Sequence, residues 1–159
     1  MLSNNILLVD TNRGSYPLLK TLESNGYHVT TVGSDSHAPL AKLSKNYVQA
    51  NYADTSILQA IVNEGRYSAI IPGCTDASYF ACASLEHDTK KGIDNEQNIS
   101  KIFNKQDMRE LARKLEIPQP RVLSKAEALQ QECILIKPVD SFSGAGLTRL
   151  MRPSQATIE

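Results

Sequence analysis

At 159 residues, 41% of them hydrophobic, the chain has room for one ordinary core and at most part of a second. Seventeen Lys and Arg balance seventeen Asp and Glu, and no basic cluster gives an electrostatic reason to expect nucleic acid or an anionic membrane as partner. No apolar run approaches the roughly 20 residues that span a bilayer, and Met1-Leu2-Ser3-Asn4-Asn5 lacks a basic n-region and cleavage signal, so a soluble, cytoplasmic protein is expected. Cys74, Cys82 and Cys133 are odd in number, match no zinc spacing and lie in or beside apolar segments. They read as buried free thiols of a reducing compartment.

The first half alternates strand and helix patterns. Ile6-Leu7-Leu8-Val9-Asp10 is a continuous apolar run, as for a strand covered on both faces. After a loop at 11–15, Leu18, Leu19 and Leu22 mark a helix over 16–25 that stops at Gly26. A second strand is predicted over 27–32, a short helix over 38–43 and a brief strand over 47–50. Asp54 or Thr55 then caps a helix with Ile57, Leu58, Ile61 and Val62 on one face, ended by Gly65. Residues 68–72 read as the next strand and 77–85 as another helix. This succession implies a parallel sheet with right-handed crossovers and helices on both faces.

Ligands of such sheets sit beyond the carboxyl ends of the strands, where the loops at 10–15, 33–37 and 73–78 fall. The first turn holds only Gly14 rather than G-x-G-x-x-G, which argues against a nicotinamide dinucleotide. Asp35 suits either a ribose-binding acid or a helix cap. His28, His37 and the His87-Asp88 pair offer no convergent partners and receive no catalytic role.

Residues 86–98 are polar and read as an exposed linker. Beyond a short helix to Phe103, Asn104 caps a helix whose apolar face is Met108, Leu111, Ala112 and Leu115. Ile117-Pro118-Gln119-Pro120 forces an extended chain, and Arg121-Val122-Leu123 is expected as a short strand. Ser124 with Glu127 forms a capping box for a helix to about Gln130.

The run Cys133-Ile134-Leu135-Ile136-Lys137-Pro138 reads as a buried strand stopped by proline. A loop of Ser141, Ser143, Gly144, Ala145 and Gly146 follows, then a second strand, Leu147 to Leu150. Glycines let such a loop approach a ligand closely, and free amides beside Lys137 suit phosphate oxygens. The same spacing also suits a plain hairpin turn with a surface lysine. A P-loop does not fit, because that motif places its lysine after the last glycine and opens a helix.

The order strand, lysine, small-residue loop, strand resembles the ATP-grasp superfamily, in which such a hairpin closes over the triphosphate of ATP. The preceding block strengthens the resemblance: Asn104-Lys105-Gln106-Asp107-Met108 opening a helix, then Leu115-Glu116-Ile117-Pro118-Gln119-Pro120. Glu116 stands where glycine is more usual. The resemblance implies an α/β fold: a Rossmann-like pre-ATP-grasp parallel sheet over 1–97, followed over 98–159 by the start of an α+β ATP-grasp subdomain. It implies ATP-binding roles for Lys105, Lys137, Ser143, Gly144 and Gly146, and ATP with magnesium as cofactors.

The activity implied is that of a carboxylate–amine ligase working through an acyl-phosphate, on a small carboxylate and an amine or similar nucleophile. No residue identifies either substrate, no catalytic residue is assigned, and the carboxylate pair that would hold magnesium is not supplied. The expectation is an amino-terminal fragment, inactive alone, whose exposed hairpin edges are mobile or pair with another copy as a homodimer. The competing expectation is a non-catalytic Rossmann-like module that binds a small metabolite or a partner.

Overall fold

A computed structural model describes residues 4–138 and 146–158. The chain divides into two compact units, Met1–Ser100 and Lys101–Glu159.

In the first unit the elements run β1 (Asn5–Val9), a 3-10 turn at Arg13–Ser15, α1 (Tyr16–Ser24), β2 (His28–Gly33), α2 (Pro39–Leu43), β3 (Asn46–Gln49), α3 (Thr55–Glu64), β4 (Ala69–Pro72), α4 (Asp76–Ala83) and β5 (Lys90–Lys91). The five strands are all parallel in the order β3-β2-β1-β4-β5. Side chains of β1 alternate across the sheet. Leu7 and Val9 join Val32, Leu58, Val62, Ile70 and Cys82 in one core. Leu8 joins Leu19, Val29 and Leu40 in the other. Both faces of β1 are therefore dry, which is why its run is apolar throughout.

Local sequence sets the helix ends. Asp54 caps α3 by accepting from the amides of Ser56 and Ile57, and Gly65 closes it. Leu58 and Val62 of its expected apolar face are buried, whereas Ile57 is exposed. Helix α1 ends in a Schellman motif: Gly26 N–H bonds to the Glu23 carbonyl and Tyr27 N–H to the Leu22 carbonyl. Gly26 has φ +82° there, the left-handed conformation glycine adopts without a Cβ clash.

Two expectations are corrected here. The segment over 86–98 is not merely an exposed linker: Lys90 and Lys91 pair with Ala69 and Ile70 as the fifth strand. The free edge of β4 supplies the register, and Lys91 folds its ammonium back onto the carbonyls of Ala83 and Leu85. Of the three thiols only Cys82 is buried, because it lies on the inner face of α4; Cys74 and Cys133 are exposed.

Helix α5 (Glu96–Phe103) leads into the second unit, which holds α6 (Lys105–Lys114), α7 (Lys125–Ala128), β6 (Cys133–Ile136), β7 (Thr148–Met151) and α8 (Gln155–Ile158). Strands β6 and β7 form an antiparallel hairpin pairing Cys133 with Met151 and Ile136 with Thr148. The expected strand at 121–123 does not form. A strand needs a neighbour to bond, and among the described residues none pairs with these; Val122 is 67% exposed. Strand β6 is not buried as expected: Ile134 is 9% exposed but Leu135 59% and Ile136 37%, since a two-stranded hairpin offers no second layer of its own to pack on. On α6, Ala112 is buried while Met108, Leu111 and Leu115 stay exposed.

The exit of α6 explains the unusual Glu116. Its amide bonds to the Arg113 carbonyl and that of Ile117 to the Ala112 carbonyl, the same Schellman pair that ends α1. Glu116 occupies the glycine position, at φ +55°.

Candidate functional site

Two places carry site character, one in each unit. In the first, strand order reverses between β1 and β4, the position where doubly wound sheets leave a crevice. The loops at 10–15 and 73–78 meet there. Asp10 is buried and takes φ 125°, a backbone value that costs a non-glycine residue free energy. Its Oδ1 accepts from the Asn12 amide at 2.8 Å. Its Oδ2 accepts from Ser15 Oγ at 3.1 Å and the Cys74 amide at 3.2 Å. That amide also donates to Ser15 Oγ at 3.0 Å. A Cβ on Gly73 would stand 2.5 Å from both Asp10 Cβ and Ser15 Oγ, so only glycine allows this approach.

Tyr52 borders the same loops, its hydroxyl 3.3 Å from Thr75 Oγ1. Burial lifts its phenol above the ordinary value, the Thr75 hydroxyl opposes this, and the Asp10 charge adds to the rise. The carboxylate of Asp10 is thus spent on holding two loops together.

The third loop begins against the first, since a Cβ on Gly33 would clash with Thr11 Oγ1. Asp35 is not the cap of α2, whose N-cap is Ala38. Its Oδ1 accepts from the His37 amide at 2.8 Å in an exposed turn. His87 has a local role as well, its Nδ1 accepting from the Thr89 amide at 3.0 Å.

In the second unit, Lys137 follows β6 directly and is exposed. Across the hairpin, Gly146 takes φ +72°, and a Cβ there would come within 2.6 Å of Pro138 Cγ. Glycine is required at that point on two counts: the backbone sign and the closeness of the opposite strand end. Lys137 and Gly146 therefore lie at the same end of one hairpin. Ser143 and Gly144 lie outside the described residues. Lys105 is on another element, half-buried in the first turn of α6, directly after the cap in which Asn104 Oδ1 accepts from the amides of Gln106 and Asp107.

Among the described residues no group of three or more His, Cys, Asp or Glu could hold a metal ion, and no helix is long and apolar enough to cross a membrane. The Asp10–Ser15–Cys74 bundle escaped sequence reasoning beyond its loops, because it joins residues 59 and 64 positions apart. The one local signal was an acidic residue closing an apolar run.

No protein-family model matches the sequence, and no curated protein matches it. Solved structures do. An ADP complex of an N5-carboxyaminoimidazole ribonucleotide synthetase superposes with TM-score 0.75 at 16% identity, covering 99% of this chain and 43% of that one. The corresponding synthetase from Thermotoga maritima gives 0.72 at 12% identity, with 97% and 42% covered. The biotin carboxylase domain dimer of the Hydrogenobacter thermophilus 2-oxoglutarate carboxylase, in complex with MgADP, ADP and bicarbonate, gives 0.69 at 13% identity, with 95% and 38% covered. The chain thus spans about two-fifths of the length of these neighbours. With a parallel five-stranded sheet followed by the lysine–glycine hairpin, this protein has the fold of the amino-terminal region of ATP-grasp enzymes.

Proposed function

We propose that the chain is the amino-terminal part of an ATP-dependent carboxylate–amine ligase of the ATP-grasp superfamily, acting in the cytoplasm. Residues 1–97 are its pre-ATP-grasp domain and 98–159 the start of its ATP-grasp domain. The observation that supports the reading is the loop end of the hairpin, where Lys137 and Pro138 follow β6 and a Cβ on Gly146 would come within 2.6 Å of Pro138 Cγ. A lysine at a strand end beside a glycine-bearing loop suits phosphate oxygens. Lys137, Ser143, Gly144 and Gly146 would hold the nucleotide's phosphates from the hairpin, and Lys105 from the first turn of α6.

In the reaction, a carboxylate oxygen of the substrate attacks the γ-phosphorus, the bond to ADP breaks, and an acyl-phosphate forms. The amine then displaces phosphate. Magnesium would neutralise charge on the transferring group; the described residues form no site for it, and no step is assigned to it on this chain. This part alone is expected to lack turnover, with its hairpin edges mobile or paired with another copy as a homodimer.

Titration calorimetry of the complete enzyme with ADP and magnesium tests the reading. Lys137→Ala removes a charge-assisted contact worth about 1.5–3 kcal/mol, so affinity falls roughly ten-fold or more, while the exposed Lys90→Ala changes little. Lys137→Arg rescues poorly, because a planar fork does not replace a compact ammonium. Equal affinity of parent and Lys137→Ala, with the fold intact, would leave the non-catalytic metabolite-binding module as the better reading.

A further inference from the structure

A cavity in the Lys101–Glu159 unit has a chemistry of its own. It has a volume of about 460 Å³ and lies between α6 and the extended segment after it, lined by Arg109, Arg113, Gln119, Pro120, Arg121 and Val122. That volume is in the range of small-molecule sites. Three arginines line it. The carboxylate on the same rim, Glu110, is engaged by Lys114 at 3.2 Å. Arg121 bonds to Glu127, which leaves the rest of its donor fork.

Arg109 and Arg113 have no carboxylate within 4.0 Å among the described residues. They stand four residues apart on one helix face, a like-charge spacing that is mildly unfavourable by itself. Arg113, in the last turn, gains from the helix dipole; Arg109, a turn earlier, does not. The segment opposite is held against the helix by Gln119 Nε2, which donates to the Arg109 carbonyl at 2.9 Å. This bond fixes the width of the cavity without using any guanidinium. Pro120 and Val122 add an apolar wall on the same segment.

We propose that this cavity binds the phosphate group of a phosphorylated small molecule, with Arg109 and Arg113 as the principal ligands and Arg121 as the third. Paired planar forks match the oxygens of a dianionic phosphate, which a single ammonium does not. The Pro120–Val122 wall takes the apolar body of the ligand. The site is separate from the Lys137 hairpin and does not depend on the ligase reading.

Phenyl phosphate, inorganic phosphate and benzoate are the probes, titrated at low salt and followed by the side-chain Nε–H resonances of arginine. Phenyl phosphate is expected to saturate and to shift Arg109, Arg113 and Arg121, inorganic phosphate to bind more weakly at the same residues, and benzoate weakest of all. The pair Arg109→Gln/Arg113→Gln should lose about ten-fold or more in phenyl phosphate affinity and keep its ADP affinity. Lys137→Ala should show the reverse. The pair Arg109→Lys/Arg113→Lys keeps charge and helix but loses the forks, and should bind several-fold more weakly than the parent. Unchanged phenyl phosphate affinity in either pair, benzoate binding as tight as phenyl phosphate, or shifts spread over all arginines alike would overturn the proposal.

Discussion

Glu116 offers a test in which the structure contains its own control. Helices α1 and α6 end in the same pair of bonds, with Gly26 in one and Glu116 in the other at the left-handed position. A left-handed conformation costs a residue with a Cβ about 1–2 kcal/mol. Glycine offsets roughly 0.5–1 kcal/mol of that gain through its freer unfolded chain. Glu116→Gly should therefore stabilise the second unit by about 0.5–1 kcal/mol. For a unit of this size that raises the midpoint by about 2–8 °C. Gly26→Ala is the mirror experiment. Nothing lies within 4 Å of a Cβ built there, so its cost is conformational alone, about 1 kcal/mol. Thermal unfolding reads the midpoint, and hydrogen exchange at the Ile117 amide reads the motif directly. A midpoint for Glu116→Gly equal to or below the parent's, with the Ile117 bond still protected, would refute the reasoning.

Burial pushes the Cys82 thiol up to about 12, so at pH 8 a thiol reagent should label Cys74 and Cys133 quickly and Cys82 only in denaturant; three fast equivalents would contradict the burial of α4. The hydroxyl and amide of Ser56, then the amide of Ile57, hold the Asp54 carboxyl below its ordinary value. A lowered folded value means its contribution is present above the unfolded value near 3.8 and is lost as pH falls through the folded one. Asp54→Asn should keep the cap and flatten the stability–pH curve in that window, and an unchanged acid limb in that variant would count against the Asp54 assignment.

How far the sequence revealed this molecule depended on where each determinant lay. The run at Leu7–Val9 could be read because burial on both sides forbids any polar residue in it, and α3 because its cap and closing glycine sit within its own length. Strand β5 could not, since two lysines carry no period and borrow their register from β4. The segment at 121–123 has the composition of a strand and lacks the neighbour that would make it one. Lys137 and Gly146 were legible as a strand end and a loop glycine. Asp10, Ser15 and Cys74 were not legible as a unit, because parallel crossovers bring together loops that the sequence keeps far apart.

The lysines of β5 also bear on what the first unit does at high concentration. A sheet grows into a fibril by templating new chains along an uncharged rim of free amides several residues long. Here that rim is two residues long and cationic, and Lys91 bends inward to the Ala83 and Leu85 carbonyls. An incoming strand would meet the Lys90 charge before forming its second bond. The short outer strand thus ends the sheet as well as completing it, and removing the two charges would open this side to stacking by neighbouring molecules.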